Sequence, residues 1–462
     1  MIRNGDKMKE ISLAYIGGGS RDWAWTLMRD LALEEQMEGV VRLYDIDQEA
    51  AEQNAVIGNL ISADPRAKSH WKYQAAPTLQ QALTGADFVV ISILPATFNE
   101  MESDVHAPEK YGIYQSVGDT VGPGGSIRAL RTVPMFVTIA QAIRDYAPQA
   151  WVINYTNPMS LCVKTLYEAF PQIKAFGCCH AVFHTQDLLV DMLEENGYKD
   201  VKRNDVKCVV TGVNHFTWIT AATYKEMDLF PDFDKFARKY AQTGYDKEGK
   251  AEWKENTFKC AYRVLFDLYL RYGAIPAADD RHICEFLPPW YLKDPQTVKE
   301  WMFGLTTVAW RKEDLVRRLK RSEALRTGAE KIEITPSGEE GYLMMKALLG
   351  LGDMIANVNL PNYGQIPNLP LGTVVETNAL FCANGVSPIS AGNLSRGLLG
   401  LIMPHALNQF TLLEAALRED RTLAFQAFLN EPLMQLGLQD AETLFAQMIR
   451  NTAAYLPKGL LR

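Results

Sequence analysis

Up to residue 177 the chain alternates short apolar runs with stretches of helical periodicity. Residues 11–16 are mostly apolar, too few for a helix, and closed by three glycines, which predicts a buried strand. Residues 23–34 predict a helix, 40–45 a second strand and 48–61 a second helix. The pattern continues with a short helix at 79–83, a strand at 87–93, a long helix at 127–146, and strands at 151–155 and 175–177. This alternation predicts an α/β fold, a Rossmann-like doubly wound parallel sheet. Past residue 200 the period changes. Strands are expected at 207–213 and 216–224, then helices at 252–272, 297–326, 338–349, 404–417 and 420–429. Pro404 would stand in a first turn, where proline is tolerated. Two domains are expected: 8–200 binding a dinucleotide, and 201–462 a larger α+β unit for substrate, metal and oligomerisation.

Composition adds mainly exclusions. Across 462 residues, 47% hydrophobic and 22% charged content is ordinary for a globular protein. A net charge of −8 argues against general nucleic-acid binding, which needs a basic footprint. It leaves room for a small acidic substrate held by local arginines. No run approaches the roughly 20 apolar residues needed to cross a bilayer. The polar stretch Met1 to Lys9 does not read as a signal-peptide core. Seven scattered cysteines, an odd count, fit a reducing cytoplasm.

The candidate chemistry lies in the loops after strands. Gly17-Gly18-Gly19-Ser20 follows one strand, opens a helix and precedes Asp45 at the end of the next strand. Glycines there let backbone approach a pyrophosphate, the helix N-terminus favours its charge, and Asp45 would accept ribose hydroxyls. That favours NAD over NADP, with Gly17, Gly19, Ser20 and Asp45 as its contacts and Asp47 as a competitor for the ribose. Asn154, with Asn157 two residues past the strand, could hold sugar hydroxyls or the nicotinamide side. Cys179 and His180 end another strand, where ligands bind in open sheets. Cys179, His215 and Asn157 could converge on one divalent ion. Asp119 stands in a loop (117–125) too glycine-rich for a helix, of the kind that closes over substrate. Residues 278–286, Ala-Asp-Asp-Arg-His-Ile-Cys-Glu-Phe, cluster titratable groups between a helix and a Pro-Pro turn.

Taken together these residues resemble glycoside hydrolase family 4. The resemblance is carried by the Gly17–Ser20 loop, Gly118-Asp119 with Gly122-Pro123-Gly124-Gly125, and Arg128-Ala129-Leu130-Arg131. Asn154-Tyr155-Thr156-Asn157-Pro158-Met159, Cys179-His180, Gly212-Val213-Asn214-His215 and residues 359–376 add to it. It implies a dehydrogenase-like fold and a need for NAD and a divalent metal, usually manganese. It also implies a hydrolysis in which C3 of the sugar is transiently oxidised to acidify C2–H, the C1 substituent is eliminated, water adds and the hydride returns. This family departs from the two-carboxylate glycosidase rule.

By position, the resemblance makes Cys179 and His215 metal ligands and has Asn157 and Asp119 contact substrate. It places His180 beside the scissile bond. For the base at C2, Asp280 ranks first and Tyr272 second. His180 replaces the Asp or Asn of phosphoglycosidase branches, which points away from a 6-phosphate. The run Cys179-His180-Ala181-Val182-Phe183-His184-Thr185 is similar to that of the α-glucuronidase branch. The expected substrate is therefore an α-glucuronide or α-galacturonide, its carboxylate paired by Arg281, His184 or Arg128. The alternatives are neutral α-glucosides or α-galactosides, a plain NAD-dependent hydroxy-acid or polyol dehydrogenase, or a non-catalytic sensor on the same fold. A cytoplasmic homodimer or homotetramer is expected, with no nucleic-acid or membrane partner.

Overall fold

The computed structural model describes residues 8–462; residues 1–7, most of the polar stretch noted above, lie outside the described residues. Six parallel strands form the heart of one sheet: β1 (Lys9–Ile16), β2 (Met37–Tyr44), β3 (Trp71–Ala75), β4 (Phe88–Ile91), β5 (Trp151–Asn154) and β6 (Lys174–Gly177). Their spatial order is β6-β5-β4-β1-β2-β3. The order reverses between β4 and β1, and the crevice above their carboxyl ends is the ligand position in such sheets. Leu13, Ala14, Tyr15 and Ile16 are at most 2% exposed, because helices cover both faces.

The chain beyond residue 200 builds two things. Strands β7 (Val206–Val213), β8 (Phe216–Tyr224), β9 (Met227–Asp228) and β10 (Ile275–Pro276) form a separate antiparallel sheet. Strands β11 (Met354–Pro361), β12 (Val374–Cys382) and β13 (Gly385–Pro388) instead return to the first sheet and extend it antiparallel beyond β6. The join is the pairing of Asn359 with Gly177, backed by Phe176 set edge-on to Phe381 at 5.2 Å. Among the described residues, no helix is long and apolar enough to cross a membrane.

Several elements depart from the expectation. The long helix starts at Gly122, inside the glycine-rich segment read as a loop, and runs to Tyr146. Its glycines serve close approach: a Cβ on Gly124 would lie 2.5 Å from the Asp104 carbonyl oxygen, and one on Gly125 2.5 Å from Thr120 backbone. The Glu431 carboxylate accepts the Gly122 N–H at 2.9 Å, supplying an end that no local cap supplies. The stretch 297–326 divides into Pro295–Glu300 and Val308–Arg326, because Asp294 and Thr307 each cap a separate start. The stretch 252–272 is helical only over Arg263–Tyr272, with a single 3-10 turn at Glu252–Lys254. Pro404 lies inside helix Arg396–Arg418 rather than in its first turn; buried Leu398, Ile402, Ala406, Leu412 and Leu413 hold the helix on both sides of it. Strands β3 and β11–β13 and helices Phe98–His106, Met159–Ala169, Ala181–Glu195 and Leu438–Asn451 are additions.

Candidate active site

The dinucleotide end is built from local contacts. Gly17 takes φ +91°, and a Cβ there would lie 2.0 Å from the Ser92 carbonyl oxygen. The N–H groups of Gly17 and Gly18 both donate to the Tyr44 carbonyl at 2.9 Å, and Ser20 N–H closes the turn on Gly17 at 3.0 Å. Asp45 accepts the Gly19 N–H at 2.9 Å, so it shapes the loop from beside it. Asp47 caps helix Gln48–Ser62 through the Ala50 N–H. Helix Trp23–Leu33 begins with no side-chain cap and no acidic residue in its first turn. Its first N–H groups therefore remain for an anion, as a dinucleotide pyrophosphate requires. Asp22, which opens this helix, pairs with Arg318 at 2.5 Å from helix Val308–Arg326. Asn154 turns both ends of its amide onto Thr156 backbone, at 3.0 and 3.1 Å, and so forms the turn after β5.

A second cluster lies beyond the strand ends. Ligand atoms of Asp119, His215 and His282 lie within 4.8 Å of one another. His215 occupies the two-residue turn between β7 and β8, where Val213 pairs with Phe216, and takes φ +63°. That left-handed conformation is uncommon for a residue with a side chain and is a cost that functional sites retain.

The hydrogen bonds fix both imidazole tautomers. Thr120 Oγ donates to Asp119 Oδ1 at 2.7 Å, because an ionised carboxylate can only accept. With its one hydrogen so used, Thr120 Oγ accepts from Nδ1–H of His215 at 3.0 Å. The His282 Nδ1 lies 2.9 Å from Asp279 Oδ1 and donates to it for the same reason. In its neutral form each ring carries its lone pair on Nε2, the form in which histidine binds a metal. Burial, and then His282, push His215 down to about 3, so its ring is neutral. Burial raises the Asp119 carboxyl, but Arg128, His215, His282 and Arg311 outweigh it and hold Asp119 below the usual range. A neutral imidazole and an ionised carboxylate are fit ligands for a divalent cation.

Cys179 is not one of these three. Its thiol takes hydrogen bonds from the Ala181 N–H and the Asn214 side chain, and burial with nearby Glu376 pushes its pKa up. It meets the His215 turn through Asn214. Asn157 donates to Asp119 Oδ2 at 3.4 Å, and its own Oδ1 is buried without a partner. Arg128 donates Nε–H to the Asn157 carbonyl at 3.1 Å. His180 pairs its Nδ1 with Glu339 at 3.0 Å, stacks on Trp23 at 5.7 Å and meets His184 edge-on at 5.5 Å.

Other expected site residues are engaged elsewhere. Asp280 turns its carboxylate onto the N–H groups of Val264 and Leu265, at 3.2 and 3.0 Å, and so caps helix Arg263–Tyr272. Burial pushes it up to about 7, but no described contact joins it to the histidine cluster. Tyr272 packs edge-on to Trp218 at 5.9 Å in the core of the second half. Arg281 is held by Thr306 at 2.7 Å and Asp279 at 3.1 Å.

Thr120, Arg311 and Glu339 carry no signal in the sequence, and Glu285 and His282 stand there only as members of a titratable run. Glu285 accepts the N–H groups of Val117 and Gly118, at 2.7 and 2.9 Å, fixing the loop that carries Asp119. The closeness of His282 and Glu285 in sequence to the candidates Asp280 and Arg281 is the one signal available.

The profile described as family 4 glycosyl hydrolase matches residues 12–195, and that of the family's C-terminal domain matches residues 210–434. An alpha-galacturonidase of Thermoanaerobacterium saccharolyticum is 59% identical over 97% of this chain and 97% of its own. The crystal structure of lplD from Bacillus subtilis is 52% identical, with a TM-score of 0.91 over 95% of this chain and 99% of that one. A 6-phospho-alpha-glucosidase from gut microorganisms, solved in complex with NAD and Mn2+, shares the fold at 20% identity, with a TM-score of 0.81 over 97% and 99% of the two chains. The chain belongs to family 4 of the glycosyl hydrolases.

Proposed function

We propose that the protein cleaves α-glycosides of uronic acids, α-galacturonides foremost, with the help of NAD and a divalent cation such as Mn2+. The observation that carries this reading is the meeting of Asp119, His215 and His282, joined through Asn157 to the end of β5, in a fold whose β1 runs into the glycine turn before the uncapped helix Trp23–Leu33. When bound, NAD would take up and return the hydride of sugar C3, and the cation would polarise the transient ketone that acidifies C2–H.

The chain's own groups divide the remaining work. Gly17, Gly19 and Ser20, with the start of helix Trp23–Leu33, would hold the pyrophosphate, and Asp45 the ribose. The Nε2 atoms of His215 and His282 and the carboxylate of Asp119 would hold the cation, with Cys179 the thiol that the family resemblance assigns to the same ion. Asn157 and Asp119 would orient sugar hydroxyls. His180, its Nδ1 tied to Glu339, has its other ring nitrogen available to move a proton at the glycosidic oxygen. With Asp280 and Tyr272 engaged elsewhere, neither is assigned the C2 proton. The name of the 59%-identical relative supports a galacturonide over the glucuronide suggested by residues 179–185.

The test is hydrolysis of nitrophenyl α-galacturonide, α-glucuronide, α-galactoside and α-glucoside with NAD, Mn2+ and thiol. Galacturonide should be cleaved fastest, with no net build-up of NADH and with loss of a C2 deuterium label to solvent. Cleavage of neutral sugars alone would reject the uronide reading. NADH formed in proportion to substrate consumed would make the protein a dehydrogenase.

A further inference from the structure

Two guanidinium groups flank the loop that carries Asp119, Arg128 through its bond to Asn157 and Arg311 at the helix start held by Ser116, and both have hydrogen-bonding capacity left over. Arg311 lies in the first turn of helix Val308–Arg326, its N–H on the Thr307 carbonyl at 3.2 Å. Thr306, just before the cap, donates its N–H to the Ser116 carbonyl at 2.9 Å. This contact pins the helix start to the loop that carries Asp119. Arg311 makes no ion pair and no side-chain hydrogen bond with any described residue, although its Nε is sealed from solvent. Arg128 is 4% exposed and engages Nε only; its Nη1 is buried without an acceptor. Asp119 bonds neither group; its oxygens take Thr120 and Asn157.

The other arginines nearby differ. Arg131 is locked to Asp104, and Arg281, the expected partner of the sugar carboxylate, has both Nη atoms held by Asp279 and Thr306 and only Nε left over. Guanidinium N–H groups taken from water and left without an acceptor are costly. Their planar fork matches a carboxylate.

Resting on the uronide reading above, we propose that Arg311, together with Nη1 of Arg128, binds the carboxylate of the sugar, and that Arg311 selects an anionic over a neutral ring. Arg128 is already oriented by the Asn157 carbonyl, so it positions the site as well as binding. Arg311 has its whole fork available, and its contribution is to discrimination.

The experiment compares wild type with Arg311→Gln and Arg311→Lys, each loaded with NAD and Mn2+. Calorimetric titration with D-galacturonate and with D-galactose reads binding directly. Arg311→Gln should lose about 10- to 100-fold in galacturonate affinity, the size of one or two charge-assisted hydrogen bonds, while its preference for galacturonate over galactose collapses. The KM for nitrophenyl α-galacturonide should rise in step with kcat kept within about threefold, as for an interaction made equally in ground and transition states. Arg311→Lys, keeping the charge without the fork, should recover part of the loss. A wild type that cleaves uronides beside an Arg311→Gln variant with galacturonate affinity and KM unchanged overturns this inference alone. Weakened NAD binding with galacturonate affinity intact would assign the guanidinium to the dinucleotide and overturn it too. A wild type that cleaves no uronide removes the functional reading, and the inference with it. Should Arg311→Gln not fold, Arg311→Met, which keeps the aliphatic stem, is read by the same titrations.

Discussion

Thr120 settles which nitrogen of His215 is available, because one hydroxyl hydrogen cannot serve both Asp119 and the ring. Thr120→Val keeps the shape and removes the relay. Its Mn2+ affinity is expected to fall about 10- to 100-fold, the usual effect of losing a ligand's outer partner. Thr120→Ser should bind like wild type. Calorimetric Mn2+ titration checks this, and equal affinity for wild type and Thr120→Val would show that the tautomer is set by something else. His215→Asn, which tolerates the left-handed turn, should lose the thermal stabilisation by Mn2+ altogether, worth about 2.7 kcal/mol at 100-fold saturation. At this scale the sequence exposed residues of the cluster that stand in short motifs: Asp119 and His215. It hid Thr120 as a partner because the Thr120–His215 contact spans 95 residues of chain. Asp280 misled for the same reason. Its acidity beside Asp279 and His282 was visible, but the amides it caps come from the preceding helix.

The helix Gly122–Tyr146 shows how an element can depend on a distant residue. Its first N–H is answered by Glu431, which also takes Asn408 at 3.0 Å and Ser126 at 3.4 Å. Burial pushes the Glu431 carboxyl up from 4.5 to about 7, against the lowering effect of those donors. The folded protein thus keeps a proton that the unfolded chain has released. Its contribution is complete below about pH 4.5 and is lost as pH rises through about 7. Neighbouring His405, 3.9 Å away, is pushed down to about 4 by burial and stays neutral through most of that window. Glu431→Gln removes the titration, so from about pH 5 to about pH 7.5 wild type should lose melting temperature relative to the variant. Parallel melting curves for the two proteins would refute the assignment. The strand–turn–helix–strand unit around Gly17 was readable because its contacts are local. The glycine-rich helix start was not, since propensity argued for a loop and only packing against Asp104 and Thr120 overrides it.

Taken whole, the molecule is less divisible than its sequence suggested. Strands β11–β13 complete the dinucleotide sheet from the far end of the chain, and Val358, Leu360, Ala379 and Phe381 share a buried cluster with Phe176 and Leu13. A fragment of residues 8–200 would leave the β6 edge and that apolar face open to water. It should aggregate or melt without cooperativity, and co-expression with residues 201–462 should restore solubility and NAD binding; a cooperatively folding fragment would contradict this. The alternation of the first half foretold the parallel sheet. The docking of β11 on β6 escaped because a pairing across about 180 residues leaves no local trace.

The helix that bears Arg311 and Arg318 has a consequence for how such a chain can drift. Those residues are seven apart, two turns or about 10 Å of rise, and on nearly the same side. One stands over the Asp119 loop and the other grips Asp22. Inserting or deleting one residue between them would swing one arginine about 100° around the axis relative to the other. The segment therefore works as a ruler between the nucleotide and sugar ends, and what it fixes is its own length.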